Sequence, residues 1–327
     1  MTDELSRTPA GEPGGHTGFV HDTGFYCSDE ELLELVVPFV EGGMADGDPT
    51  FVSLPGPELR LVRSTVGDRP GLTFLDAADQ YSRPTATIRR YRKLLGDEVA
   101  SGARRVRAVG PAPHPGVGAP WEMWARYEAV INHAFHDLPL WGLCPYDTRC
   151  TPGDVLADVE RTHPNVATGR GGRSANPRYE DPALFLASRQ VPPDPLAVRA
   201  PDAELVDPTP GAARRAVAEV GSRSLVAPAA VDDLVLACSE VVTNATLHGR
   251  PPVVLRAWAA PERVVVSVTD RGRGPADPLV GLLPTDDRTL GGFGLWLVHE
   301  LCSQVALTRT DGSFTVRLVV GEPHRAS

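Results

Sequence analysis

Between Pro228 and His248 the apolar residues fall at Leu234, Val235, Cys238, Val241, Val242 and Ala245, a three-and-four spacing that predicts one helix with one buried face. The same periodicity predicts helices near Asp29–Met44, Pro84–Ser101 and Trp121–Phe135, from Pro152 onward, and over Pro210–Ser224 and Phe293–Cys302. Short runs rich in Val, Leu, Phe and Thr predict strands at Thr50–Leu54, Leu72–Leu75, Arg105–Val109 and Leu138–Leu143, then at Val253–Ala259, Arg263–Thr269, Val305–Thr310 and Phe314–Val320. In the first half helices and strands alternate, which predicts an α/β domain with a mainly parallel sheet. In the second half two helices precede clustered strands, and Asp311-Gly312 ahead of the last one is a hairpin signal, so an α+β two-layer sandwich is expected.

A Pro- and Gly-rich stretch separates the halves: GRGGR is followed by Pro177, Pro182, Pro192, Pro193, Pro195 and Pro201. Proline fixes φ and removes backbone donors, so the stretch predicts a linker, with room for a short helix at Ala183–Ser188. The expected organisation is a disordered tail over 1–17, a first domain over 18–165, a linker over 166–203 and a second domain over 204–327. At 327 residues the chain can bury two cores. A net charge of −10 argues against direct contact with nucleic acid or an anionic membrane, and leaves proteins or small molecules as partners. Without a long apolar span or a secretory start, the expected location is cytoplasmic. The five cysteines form no CxxC pair, which predicts reduced thiols, and Cys144 and Cys150 in LCPYDTRC match no common zinc spacing.

Three segments of the second half carry candidate chemistry. In SEVVTNATLHG, Glu240 and Asn244 lie four residues apart on one helical face, a carboxylate and an amide suited to orienting a hydroxyl and holding Mg²⁺. In TDRGRG, Asp270 leaves a strand as an acceptor for an exocyclic amine, and Gly272 and Gly274 clear the backbone for a ligand. In LGGFGLWLV, Gly291, Gly292 and Gly294 stand at a helix start, where free amides favour phosphate. Each segment alone has an ordinary structural explanation; their order and separation are what point to a nucleotide site.

Together the segments resemble the N, G1 and G2 boxes of the GHKL ATPases, the Bergerat fold, and LVDPTPGAARRAVAEVG with DDLVLACSEVVTNATLHG resembles the anti-sigma-factor serine/threonine kinases among them. The resemblance covers the whole second domain. It implies ATP and Mg²⁺ as cofactors, Glu240 as the residue that orients or deprotonates the attacking serine hydroxyl, and Asn244 as the Mg²⁺ ligand. Asp270 would bind the adenine amino group, supported by Thr315, while Gly272, Gly274, Gly292 and Gly294 shape the pocket. Pro275–Thr289 would be a lid, with Arg288 a phosphate contact and Asp286 and Asp287 beside it. The implied partners are a sigma factor and a STAS-type anti-anti-sigma protein, with a homodimer as the family tendency. A nucleotide-binding protein that sequesters a sigma factor without phosphorylating anything is the alternative. A sensor histidine kinase is disfavoured because no dimerisation helix pair with a phospho-accepting histidine precedes the ATPase segment; His163, His248 and His299 sit in other contexts.

In the first half, HDTGFYCSDEELLELVVPFVEGGMADGDPTFVSL and LWGLCPYDTR resemble the MEDS sensory domains over about residues 19–165. The resemblance implies a degenerate RecA-like fold that senses a small molecule. No GxxxxGK[ST] occurs, so no second ATP site of the P-loop kind is expected. His21, Cys27, Cys144 and Tyr146 are the candidate sensory residues, whereas Trp121, Trp124 and Tyr127 fall at helical spacing and are expected in a core.

Overall fold

The computed structural model describes residues 18–321 apart from 82, 118, 190, 278 and 284–292. The expected tail over 1–17, and Asp286, Asp287, Arg288, Gly291 and Gly292 with the rest of 284–292, lie outside the described residues. The chain forms two compact units, divided along the sequence between Phe185 and Leu186 except that Arg83–Thr85 groups with the second.

The first unit runs β1 (Val20–Tyr26), α1 (Asp29–Asp46), β2 (Thr50–Val52), α2 (Gly56–Val66), β3 (Leu72–Phe74), α3 (Ala77–Gln80), α4 (Pro84–Ala100) and β4 (Val106–Val109). It continues through α5 (Trp121–Ala134), β5 (Leu140–Asp147), α6 (Gly153–Thr162), β6 (Asn165–Thr168) and β7 (Gly172–Ala175) to α7 (Pro182–Ser188), inside which the division falls. The sheet order is β3-β2-β4-β5-β1-β6-β7, parallel from β3 to β6 with β7 antiparallel at the edge. Helix α1 starts as a capping motif: the Ser28 hydroxyl accepts the Glu31 N–H and Glu31 accepts the Cys27 N–H at 2.7 Å. It stops at Gly47, whose φ of 75° suits glycine. Leu32, Val36 and Val40 pack from it against Val52, Leu54, Val62 and Leu143.

Besides the four-residue α3, two elements ahead of the expected linker are absent from the sequence-based expectation for good reason. Strand β1 carries His21, Asp22 and Thr23 in its centre, all buried, so it lacks the apolar run that marks a parallel strand. Helix α2 buries only Val62 and Val66, too thin a stripe to reveal itself. Within the stretch expected as linker, the β6–β7 hairpin extends the sheet of the first unit.

The second unit holds β8 (Ala203–Val206), α8 (Pro210–Gly221), α9 (Pro228–His248), β9 (Val254–Ala260), β10 (Arg263–Asp270), α10 (Phe293–Leu301), β11 (Gln304–Thr310) and β12 (Ser313–Gly321). Its five strands are antiparallel in the order β11-β12-β10-β9-β8. Alternation along β10 sends Val264, Val266 and Val268 to the face that meets Val217 of α8, Leu234 and Val241 of α9 and Val298 of α10. Full burial of each such side chain contributes about 1.5–3 kcal/mol relative to exposure. On the opposite face Trp258, Val265 and Val319 pack against Leu196 and Ala197. That segment is tied down further: Asp194 pairs with the buried Arg263, and the Trp258 indole N–H donates to the Arg199 carbonyl at 3.0 Å. The result is the expected two-layer sandwich, and the expected mainly parallel sheet stands in the first unit.

Candidate functional site

Helix α9 ends beside the sheet so that Glu240 and Asn244, one turn apart, face a cavity of about 390 Å³. Asp270, at the C-terminal end of β10, lines the same cavity from the sheet side, and Gly294 in the first turn of α10 lines it from the third. Val241, Val268, Val316 and Phe314 supply apolar wall, and His248 and Gly249 close the end of α9. Helix α9 keeps its register because Leu234, Ala237, Cys238, Val241, Val242 and Ala245 are buried on the sheet; burial pushes the Cys238 thiol up to about 12, so this cysteine is packing material.

The Asp270 carboxylate is held in place by backbone. Its Oδ1 accepts the Gly272 N–H at 2.5 Å and the Arg250 N–H at 3.2 Å, and no described group bonds Oδ2. Two glycines make this possible. A Cβ at Gly249 would lie 2.5 Å from both the Ala245 carbonyl oxygen and Asp270 Cγ, and one at Gly272 would lie 2.5 Å from Asp270 Oδ1. Gly274, at φ 66°, turns the chain against the Phe314 ring. At Gly294 a Cβ would stand 3.3 Å from both Asn244 Nδ2 and Glu240 Oε2, so the bare backbone lets α10 approach the polar pair of α9. Among the described residues, the lining holds two carboxylates, an amide and a histidine, and no lysine or arginine.

The structure therefore brings Glu240, Asn244, Asp270, Gly274 and Gly294 to one cavity, with Gly272 behind Asp270. It does not bring Thr315 there. Asp270 pairs with Phe314 across the β10–β12 ladder, and Thr315 pairs with Thr269, so strand alternation turns Thr315 to the other face. There its hydroxyl lies 2.8 Å from the Thr269 hydroxyl, in a groove with Trp258, Ser267 and Arg317. Gly292 and Arg288 are outside the described residues, as is most of the expected lid. His248 and Gly249 are lining residues that the sequence presents only as a helix end.

In the first unit, His21 on β1 and Cys144 and Tyr146 on β5 are all buried and close together; His21 Nε2 lies 3.4 Å from Cys144 Sγ. Tyr146 donates to Glu128 Oε1 at 2.6 Å. Cys27 is exposed beyond the far end of β1 and takes no part in this group. Two members of the group escape a reading of the sequence. Glu128 occupies the buried stripe of α5 between Trp124 and Ile131, where an apolar residue is the norm, and His163 ends α6 with no exposure. A charged residue on an aromatic stripe is the available signal for Glu128. Trp121, Trp124 and Tyr127 are core residues.

Among solved structures, the chain is similar to the RsbU and RsbW domains of Rv1364c from Mycobacterium tuberculosis, with 25% identity over 39% of this chain and a TM-score of 0.27; it spans 35% of that chain. It is also similar to the blue-light activated histidine kinase of Erythrobacter litoralis, with 22% identity over 34% of this chain and 40% of that one at a TM-score of 0.23. The histidine kinase domain of the E. coli osmosensor EnvZ gives 17% identity over 39% of this chain and 94% of that one at a TM-score of 0.24. No curated protein matches. Two family profiles do: the MEDS, or methanogen/methylotroph DcmR sensory, domain at residues 20–164, and the histidine kinase-like ATPase domain at residues 207–320. The chain carries a MEDS domain followed by a histidine kinase-like ATPase domain.

Proposed function

We propose that the second domain binds Mg·ATP in the cavity beside α9 and acts as a protein serine/threonine kinase. Its substrate is a STAS-type anti-anti-sigma protein; once that partner is phosphorylated and released, the kinase sequesters a sigma factor, with the MEDS domain as the input. The observation that carries this reading is the convergence of Glu240, Asn244, Asp270 and Gly294 on one cavity of nucleoside size. Asp270 has the arrangement of an adenine reader, because Oδ1 is held by two N–H groups and Oδ2 is left to accept an exocyclic amine.

The donor set fits Mg²⁺: Asn244 would hold it through its amide oxygen, beside the Glu240 carboxylate. A cavity whose described lining holds two carboxylates and no lysine or arginine repels a bare triphosphate, and the cation would supply the missing positive charge. Glu240 orients the attacking serine hydroxyl and takes its proton as the phosphoryl group passes to that oxygen and ADP leaves. Gly294 keeps the first turn of α10 close enough for its backbone amides to serve the phosphates. No helix among the described residues is long and apolar enough to cross a membrane.

The test is transfer of labelled phosphate from Mg·ATP to the STAS-domain proteins of the source cell, with Glu240→Ala and Asn244→Ala as controls. Transfer to serine or threonine that both substitutions abolish is expected. Nucleotide binding without transfer would leave a sigma-sequestering protein, and phosphohistidine on the chain itself would replace the reading by a histidine kinase. His163 is a poor acceptor for that last outcome because its ring is fully buried.

A further inference from the structure

In the MEDS domain four side chains from distant parts of the sequence converge: His21 of β1, Glu128 of α5, Cys144 of β5 and His163 at the end of α6, all buried. One ligand-type atom from each lies within 4.8 Å of all the others. Three separations are shorter: 3.4 Å from Cys144 Sγ to His21 Nε2, and 3.5 Å from Glu128 Oε2 to the Nε2 atoms of both His21 and His163.

The surrounding hydrogen bonds fix what these atoms offer. The Asn132 amide nitrogen donates to the Thr162 carbonyl at 2.9 Å and the Glu128 carbonyl at 3.2 Å, so its Oδ1 faces His21 Nδ1 at 3.1 Å and accepts a hydrogen bond from it. His163 Nδ1 lies 2.8 Å from the Val159 carbonyl oxygen and donates to it. By this network both histidines carry their proton on Nδ1, and both Nε2 lone pairs point into the cluster. Glu128 Oε1 is occupied by the Tyr146 hydroxyl, while Glu128 Oε2 and His163 Nε2 have no hydrogen-bond partner among the described residues. Acceptors that face one another in a dry interior are costly unless a positive centre sits between them.

We propose that His21, Glu128, Cys144 and His163 bind a divalent transition-metal ion of the zinc class. Two imidazoles, a thiolate and a carboxylate are ligands such an ion accepts in a tetrahedral site. Bond lengths of about 2.0–2.1 Å to nitrogen and about 2.3 Å to sulfur set tetrahedral edges of about 3.3–3.6 Å, and the three short separations already match them. The charges cancel as well: a dication with one thiolate, one carboxylate and two neutral imidazoles is neutral, the condition a buried site needs. Asn132, the Val159 carbonyl and Tyr146 are the second layer that orients the ligands. With all four positions taken by protein the ion would be structural or regulatory, holding β1, α5, β5 and the end of α6 together, and not a site of hydrolysis.

The rival is a proton. Burial keeps both imidazoles neutral, with His163 held down at about 4, and pushes the Glu128 carboxyl up to about 7 against its bond from Tyr146. In the metal-free cluster the neutral carboxylic acid of Glu128 would supply the missing donor. Metal uptake then expels that proton and the Cys144 thiol proton to solvent.

Full-length protein purified from zinc-supplemented and from cobalt-supplemented cells separates the two. Stoichiometric zinc is expected, and in the cobalt protein visible tetrahedral bands with a near-ultraviolet thiolate band. Cys144→Ser should remove the thiolate band, and His163→Gln should lower metal content about tenfold or more. The X-ray absorption spectrum of the wild-type zinc protein needs no variant and should show one sulfur with imidazole scattering. Metal-free protein from both cultures, a bound metal without sulfur, or bands unchanged by both substitutions would overturn the proposal.

Discussion

The cavity beside α9 and the cluster between β1 and β5 are built in opposite ways. The cavity takes its candidate functional residues from three short sequence segments, opens to solvent, and relies on glycines to let backbones approach. The cluster takes single residues from positions 21, 128, 144 and 163, is closed, and relies on a second layer of hydrogen bonds. An open site of convergent polar groups suits a ligand that comes and goes in each turnover. A closed one suits a ligand that stays.

The largest effects should therefore come from the polar pair on α9, and they should be effects on turnover and not on folding. Glu240→Gln keeps the shape and removes the base, so phosphoryl transfer should fall about 10²–10⁴-fold with ATP affinity retained. Asn244→Ala should abolish Mg²⁺-dependent nucleotide binding, read by fluorescence of a labelled ATP analogue with and without the cation. Loss of cooperative unfolding in either variant would mean that the pair is structural, and the contrast with the closed cluster would fail.

Asp270→Asn comes next. Its amide oxygen can still accept the Gly272 and Arg250 N–H groups, but the acceptor at Oδ2 becomes a donor that opposes the adenine amine. Affinity for ATP should drop about 10–100-fold, the worth of a charge-assisted hydrogen bond, and discrimination against GTP should narrow. Equal losses for both nucleotides in a binding titration would remove Asp270 from base recognition.

The two glycines beside these residues should respond differently. A methyl at Gly294 meets the ends of Asn244 and Glu240, which can shift by a few tenths of an ångström, so Gly294→Ala should fold and bind nucleotide several-fold more weakly. At Gly249 the methyl meets a backbone carbonyl and the fixed Asp270 carboxylate, so Gly249→Ala should lower stability by about 1–3 kcal/mol, measurable by thermal unfolding. A reversed order of the two would mean that the close approach of α10 is not what Gly294 serves.

The same difference in construction decides which residues are legible in the sequence. Glu240, Asn244, Asp270 and the glycines are legible because helix period, a strand end and a helix start place each one locally. The sheets are legible wherever strands are apolar, as at Arg263–Asp270, and illegible at β1, whose His21, Asp22 and Thr23 look like surface. The cluster cannot be assembled from spacing, since nothing local relates Glu128 to Cys144, and the five residues between Cys144 and Cys150 give no metal signature. Cys150 is exposed, while the three partners of Cys144 arrive through the fold.

Thr315 is the finest test of the cavity's sheet wall. The family resemblance assigns it to adenine support, whereas the β10–β12 register gives that wall to Phe314 and Val316 and leaves Thr315 on the outer face. Thr315→Val preserves shape and strand preference and removes one hydroxyl. The Thr269 hydroxyl loses its 2.8 Å partner but is only part-buried, so the stability cost should be about 0.5–1.5 kcal/mol, with ATP affinity unchanged. A fall in affinity comparable with that of Asp270→Asn would require the opposite facing. A one-residue slip of β12 is the way to produce it, and such a slip would also carry Val316, Leu318 and Val320 out of the core they share with α9.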